Sequence, residues 1–236
     1  MPFVFKDRLK KNDIKHAVVI GASMAGIKVV EVLHKYGIET WLLDLASYIF
    51  PLAAYKEVAK EIEKRVEAQG VHLMFGVTID HMEQENGEKT AVLTDGSRIP
   101  ADIVGLCIGT RAITETVQGE VEIGRGIVVD DHMRTSVPGI YAAGDCCEGN
   151  NLESGQNQII GLWANANHQG ETAGINMAGG DMAYKGNILH NITHFMNMDF
   201  IGFWRQPDAG RGSGIRFSFR RSVYPPCIRR KAHCRR

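Results

Sequence analysis

The sequence predicts an α/β chain built on a parallel sheet, and three features lead to that reading. An apolar run at 16–20, HAVVI, breaks at Gly21 and resumes with helical spacing. Strand-length apolar runs then alternate with charged, amphipathic segments as far as residue 75. From 77 to 99 the pattern becomes short alternating stretches separated by Glu85-Asn86-Gly87 and Asp95-Gly96. Strand, helix, strand, helix, strand in that order implies parallel pairing with right-handed crossovers. The short stretches after it imply an antiparallel meander.

Each element follows from its own residues. Residues 16–20 are almost wholly apolar, as a strand covered on both faces must be. Ile27, Val30, Leu33 and Tyr36 recur at spacings of three, which predicts a helix to about Tyr36 that Gly37 ends. Thr40 to Asp44 is a second buried strand closing on a carboxylate. A helix rich in Lys and Glu is predicted from Ala54 to Gln69, stopping at Gly70, and Val71 to Phe75 is the third strand. Residues 77–85, 89–94 and 97–99 form the meander, and ADIVGLCIG (101–109) is a further buried strand. In the next unit Val128 and Val129 read as one strand and Ile140 to Ala142 as another, with a Pro-Gly turn between. A helix from about Ile159 to Met177 follows, presenting Trp163, Ala166, Gly170 and Ala173, and 188–204 reads as one or two strands. Residues 205–236 lose periodicity and are dense in Arg, Gly and Pro, so disorder is expected there.

Composition narrows the class. At 236 residues, 44% hydrophobic and 23% charged, the chain has the make-up of a globular protein. No apolar run approaches the roughly 20 residues of a membrane span, and the N-terminal stretch has no signal-peptide core, so a cytoplasmic location is expected. The zero net charge is an average of unlike parts. Ten of the 27 basic residues but only one of the 27 acidic ones lie from Arg205 onward, leaving an acidic body and a basic tail. That tail lacks spaced aromatics and any nucleic-acid motif, so nucleic acid is not expected as a partner. Cys107, Cys146, Cys147, Cys227 and Cys234 include no C-x-x-C pair, which excludes a zinc ribbon or thioredoxin-type site. His190 and His194 share a strand face without a third ligand, so no metal site is expected.

The turn Gly21-Ala22-Ser23-Met24-Ala25-Gly26 carries the first chemistry. Between a strand and a helix, a G-x-G-x-x-G turn holds a dinucleotide pyrophosphate. Its first glycine permits the turn, its second the close approach of phosphate, and its third the packing of helix on strand. Gly21 and Gly26 keep the outer two roles; Ser23 replaces the middle one and offers a hydroxyl as candidate donor to phosphate. The helix N-terminus supplies N–H groups and positive dipole. Asp44, at the end of the next strand and 18 residues beyond Gly26, suits the two ribose hydroxyls of adenosine and repels a 2′-phosphate. No Arg follows it in Leu45-Ala46-Ser47, so NAD is favoured over NADP. The expected fold is thus a Rossmann-like parallel sheet with a β-meander.

The stretch TSVPGIYAAGDCCEG (135–149) resembles the second flavin motif of flavoproteins with two dinucleotide domains, in which A-x-G-D precedes a flavin-contacting helix. IGLWANANHQGETAGINMAGG (160–180) looks like that helix, and ADIVGLCIGTRAITE (101–115) resembles the segment returning the chain from the NAD to the FAD domain. Together these motifs resemble the FAD/NAD(P)-dependent pyridine nucleotide-disulfide oxidoreductases: NADH oxidases, rubredoxin reductases and the flavin part of nitrite reductase. The resemblance spans roughly 1–204 and implies NAD bound by Gly21 to Gly26, Asp44 and Gly109. It implies FAD bound by Gly144, Asp145, Leu162 and Trp163, as the C-terminal part of a split FAD-binding domain. Lys28 stands where many members carry Glu near the nicotinamide.

The implied organisation is a connector (1–14), an NAD-binding domain (15–110), the C-terminal segment of an FAD-binding domain (111–187), the start of an incomplete interface domain (188–204) and the basic tail (205–236). The chain has one fingerprint where such enzymes have two, and so resembles the middle of a longer flavoprotein. FAD is then expected to need a complementing segment or a partner chain. The leading expectation is a flavin-linked oxidoreductase, as fragment or subunit, passing hydride from NADH to FAD and on to an unidentified acceptor; no catalytic acid, base or nucleophile is assigned. The rivals are a non-catalytic NAD-binding module and a nonfunctional truncated flavoprotein.

Overall fold

The computed structural model describes residue 9 and residues 13–203. The predicted disorder of 205–236, and most of the 1–14 connector, lie outside the described residues.

A four-stranded parallel sheet organises the first unit, in the order β3 (His72–Phe75), β2 (Glu39–Asp44), β1 (His16–Ile20), β7 (Ile103–Leu106). Alternation along β1 and β2 divides their side chains between two cores. Ala17, Val19 and Leu42 face α1 (Met24–Lys35) and α2 (Lys56–Glu67). Val18 and Leu43 face the antiparallel meander β4 (Ile79–Glu85), β5 (Glu88–Leu93), β6 (Arg98–Pro100). This double cover explains why both strands are apolar without a polar face.

Ile27, Val30 and Leu33 bury the predicted face of α1, whereas Tyr36 is 41% exposed. The helix closes as expected: Gly37 turns left-handed at φ 70°, and the Ile38 N–H reaches back to the Leu33 carbonyl at 3.2 Å. Ala59, Ile62 and Val66 make the buried stripe of α2. The last strand departs from expectation. β7 pairs on one side only, with β1, and is an edge strand; Leu106 and Ile108 beyond it are 69% and 74% exposed.

The second unit is differently built. The strands expected at 128–129 and 140–142 are reduced to single bridges, Ile127 to Cys147 and Arg134 to Tyr141. A strand needs a ladder to join, and the described residues around these segments offer none. Val121, Ile127, Val129, Met133, Ala142, Cys147, Ala173 and Tyr184 nevertheless form a core against α3 (Trp163–Met177). Two short strands, β8 (Gly149–Asn150) and β9 (Asn157–Gln158), had no sequence signal. The 188–204 stretch is a hairpin, β10 (His190–Phe195) and β11 (Met198–Phe203). Its Phe195, Met196, Met198 and Phe200 belong to the core of the first unit, together with Leu42, Ile49 and Phe50.

Candidate functional site

The glycine turn leaves β1 at its C-terminal end, the side of an open parallel sheet where ligands collect. Gly21 adopts φ 105°, and a Cβ there would stand 2.2 Å from the Cys107 carbonyl oxygen. A Cβ on Gly26 would stand 1.9 Å from the Gly21 carbonyl oxygen. Both obstacles are backbone, so both positions require glycine. The outer glycines hold the tight turn and close packing expected of them.

Ser23 behaves differently from expectation. Its hydroxyl donates to the Cys107 carbonyl at 3.2 Å and accepts the Gly26 N–H at 3.3 Å, making Ser23 the N-cap of α1. The proton expected to be offered to phosphate is turned onto the end of β7 instead. Met24 and Ala25 follow in the first turn of α1, where helix geometry leaves the N–H groups without carbonyl partners a turn earlier. Ala25 is exposed and Met24 half-buried. Gly109, at φ 108°, has open space where a Cβ would point.

Asp44 lies at the end of β2, half-buried beside the turn. One carboxylate oxygen accepts the Ala22 N–H at 2.7 Å and the other the Ala46 N–H at 2.8 Å. It therefore joins the phosphate turn to the loop after β2, in addition to any ligand. Each oxygen retains a further lone pair.

On the second unit the four flavin-side residues converge. Gly144 takes φ 85° and packs toward Ala166, while the exposed Asp145 carboxylate approaches Gly161, where a Cβ would lie 3.8 Å from its oxygen. Leu162 is half-buried and offers no side-chain cap to α3, and Trp163 on the first turn is 85% exposed. Of the residues the helix presents, Trp163 and Gly170 are exposed, Ala166 is half-buried and Ala173 is buried. The helix buries Asn165, Gln169, Thr172, Ala173 and Asn176.

That face is an amide ladder which sequence reasoning passed over. Gln169 accepts the Gly144 N–H at 2.9 Å, so it holds the left-handed glycine just before Asp145. Asn165 donates to the Ile160 carbonyl at 3.0 Å and accepts the Tyr184 hydroxyl at 2.5 Å. Asn176 binds the His132 and Met182 carbonyls and the Met182 N–H. The signal is present in the sequence, since positions 165, 169, 172 and 176 follow helical spacing, but they are polar and so do not mark a buried face by hydrophobicity.

Charges elsewhere are structural in form. Burial pushes the Glu31 carboxyl up, but Lys28, Lys35 and the Met196 N–H outweigh it and leave it below its ordinary value. Lys28 donates to Glu31 at 3.0 Å and to the His194 carbonyl. Its role is to tie α1 to the hairpin. Burial pushes the Cys147 thiol up to about 12 and also raises Cys107, so neither is a reactive thiolate. His194 pairs with Asp199 at 2.7 Å. Asp130, Asp131 and His132 bring ligand atoms within 4.8 Å of one another, a grouping not foreseen. Both His132 nitrogens already face carboxylates, of Asp131 and Asp181. No helix among the described residues is long and apolar enough to cross a membrane.

A parallel sheet in this order, a glycine turn onto a helix N-terminus and an antiparallel meander define a Rossmann-like α/β protein. Residues 4–170 match the pyridine nucleotide-disulphide oxidoreductase family, and the chain belongs to it. An NADH oxidase of Enterococcus faecalis is 32% identical over 180 residues, 75% of this chain and 40% of the relative. The water-forming NADH oxidase of Lactobacillus brevis, solved with NADH, is 26% identical with a TM-score of 0.78, covering 84% of this chain and 44% of that one. An NAD-dependent persulfide reductase of A. fulgidus is 28% identical with a TM-score of 0.76, covering 81% and 36%. The chain thus spans about 40% of the length of the curated NADH oxidases it matches.

Proposed function

We propose that the chain is the nicotinamide-dinucleotide side of a flavin-linked oxidoreductase that passes hydride from NADH to FAD and on to an acceptor its residues do not identify. The observation that carries this is the glycine turn, closed by Gly21 and Gly26 and bonded through Ala22 to Asp44. The N–H groups of Met24 and Ala25 bind the pyrophosphate, aided by the α1 dipole. Asp44 accepts the adenosine ribose hydroxyls with its remaining lone pairs and disfavours a 2′-phosphate. The open space at Gly109 admits the dinucleotide past the end of β7.

The donor set at Asp145 fits part of an FAD. An exposed carboxylate suits ribitol hydroxyls, and the uncapped start of α3 presents N–H groups beside Leu162 and Trp163. When bound there, FAD supplies the hydride acceptor; the protein's share is binding and orientation. On this reading a complementing segment or a second chain supplies the rest of the FAD site. The domain division 15–110, 111–187 and 188–204 is carried forward on the same reading.

A second reading is a non-catalytic NAD-binding module, which the same glycine turn and Asp44 would serve without a flavin. Purified protein decides between them. A yellow chain bleached by NADH without oxygen supports the enzyme, and a colourless chain that quenches with NADH supports the module. Asp44→Ala is expected to weaken NADH binding about tenfold, roughly the 1.4 kcal/mol of one or two lost charged hydrogen bonds. It also narrows the preference over NADPH, and unchanged values for both remove Asp44 from the site.

A further inference from the structure

The hairpin β10–β11 is remote in sequence from the glycine turn but is built into it. Phe50, in the loop after Asp44, is 1% exposed and takes φ 55°, a left-handed conformation unfavourable for a non-glycine residue. Such a conformation persists only where its surroundings determine it several times over. Here the Phe50 N–H donates to the Ala22 carbonyl at 2.9 Å, and its own carbonyl accepts from Ala53 and Ala54. Its ring meets the edge of Phe195 at 5.4 Å between centroids and 85°, and Phe200 at 5.3 Å.

Ala22 is therefore bonded at both ends, N–H to Asp44 and carbonyl to Phe50. Phosphate turn and ribose loop form one hydrogen-bonded unit, and the hairpin rings lie beneath it. The hairpin is itself anchored. Met196 and Asn197, at φ 45° and 61°, make a tight type I′-like turn. The Met196 N–H donates to Glu31 of α1, and its carbonyl accepts from Gln69 after α2, both at 3.2 Å. Along β11, a Cβ on Gly202 would lie 2.8 Å from the Ala53 carbonyl oxygen, so the strand backbone rests against the loop.

We infer that the hairpin is a working part of the dinucleotide site: Phe195 is a positioning residue that holds Phe50, the 45–54 loop and Asp44 in the geometry that selects a free 2′-hydroxyl over a 2′-phosphate. This rests on the NAD reading above. Ordinary packing predicts only lost stability when Phe195 is cut back. A brace predicts altered selectivity in a protein that is still folded.

The test uses the full 236-residue chain with Phe195→Ala, Phe195→Leu and Glu31→Gln, each titrated with NADH and NADPH well below its own Tm. Hydrogen exchange at the Phe50 N–H is followed without nucleotide. Phe195→Ala is expected to speed that exchange at least tenfold, raise the NADH Kd at least fivefold and narrow the NADH/NADPH ratio at least threefold. Phe195→Leu restores most of each. Should Phe195→Ala fail to fold, Glu31→Gln, which keeps shape and loses charge, is expected to narrow the ratio in the same direction. A lower Tm with an unchanged ratio makes the hairpin a packing element and overturns the inference. Wild-type chain that binds neither nucleotide overturns the NAD reading and the inference with it, a failure distinguished by its presence before any mutation.

Discussion

The two units of the chain solve the same problem with different materials. In the first, every strand of the central sheet has a partner and the core is aliphatic and aromatic. In the second, single bridges stand where strands at 128–129 and 140–142 would pair, and one helix buries Asn165, Gln169 and Asn176, whose amides bind loop backbone. A sheet satisfies its own polar groups, whereas irregular chain must be given partners by side chains. The amide ladder of α3 is what irregular backbone requires when it passes through a core. The contrast also places the two candidate sites: one on a glycine turn at the end of a sheet strand, tied by Ser23 and Asp44, the other on loops that Gln169 and Asn165 must hold.

Substitutions in the two units test that difference. Gly26→Ala is expected to do the most damage, since its methyl would meet backbone at 1.9 Å and the helix would have to move off the strand. A loss of about 3 kcal/mol in chemical denaturation, with NADH binding abolished, is the expected outcome. Next is Gln169→Ala, which leaves the buried Gly144 N–H without its acceptor and should cost about 2 kcal/mol. That loss should be seen in unfolding of the second unit while NADH titration is unaltered; an equal effect on NADH would mean the units are not separable.

A smaller effect comes from Glu31. Its pKa is lowered in the folded protein, so the stability it contributes is present above the ordinary glutamate value near 4.3 and is lost as pH falls through the lower folded value. Wild-type Tm should therefore drop more steeply below about pH 4.5 than that of Glu31→Gln. Smallest is Trp163→Ser. An indole 85% exposed gives up little on removal, and stability should stay within about 0.5 kcal/mol. Flavin retention is the readout that should move.

Local signals carried the first unit well. The strand at 16–20 is located to the residue, the end of the first helix to within one residue and the second helix to within two at each end, because apolar period and terminal glycines are written in neighbouring positions. The reading of Asp145 as a flavin residue rests on the family likeness. Other features were not legible. Ser23 donates to Cys107, 84 positions away, and a hydroxyl's direction depends on what folds beside it. The buried face of α3 is made mostly of polar residues, and hydrophobicity marks burial only where the core is apolar. The strands at 128–129 and 140–142 were read from β-branched residues, but strand propensity forms a ladder only where a neighbour is available.

The sequence by itself determined the parallel sheet, the glycine turn and the carboxylate that follows it, since each depends on residues close along the chain. Only the tertiary structure decided that Phe195 and Met196 sit under that turn. Their contacts span more than 100 positions, with Phe50, Glu31 and Gln69, and no local pattern encodes which distant surface an aromatic side chain will meet.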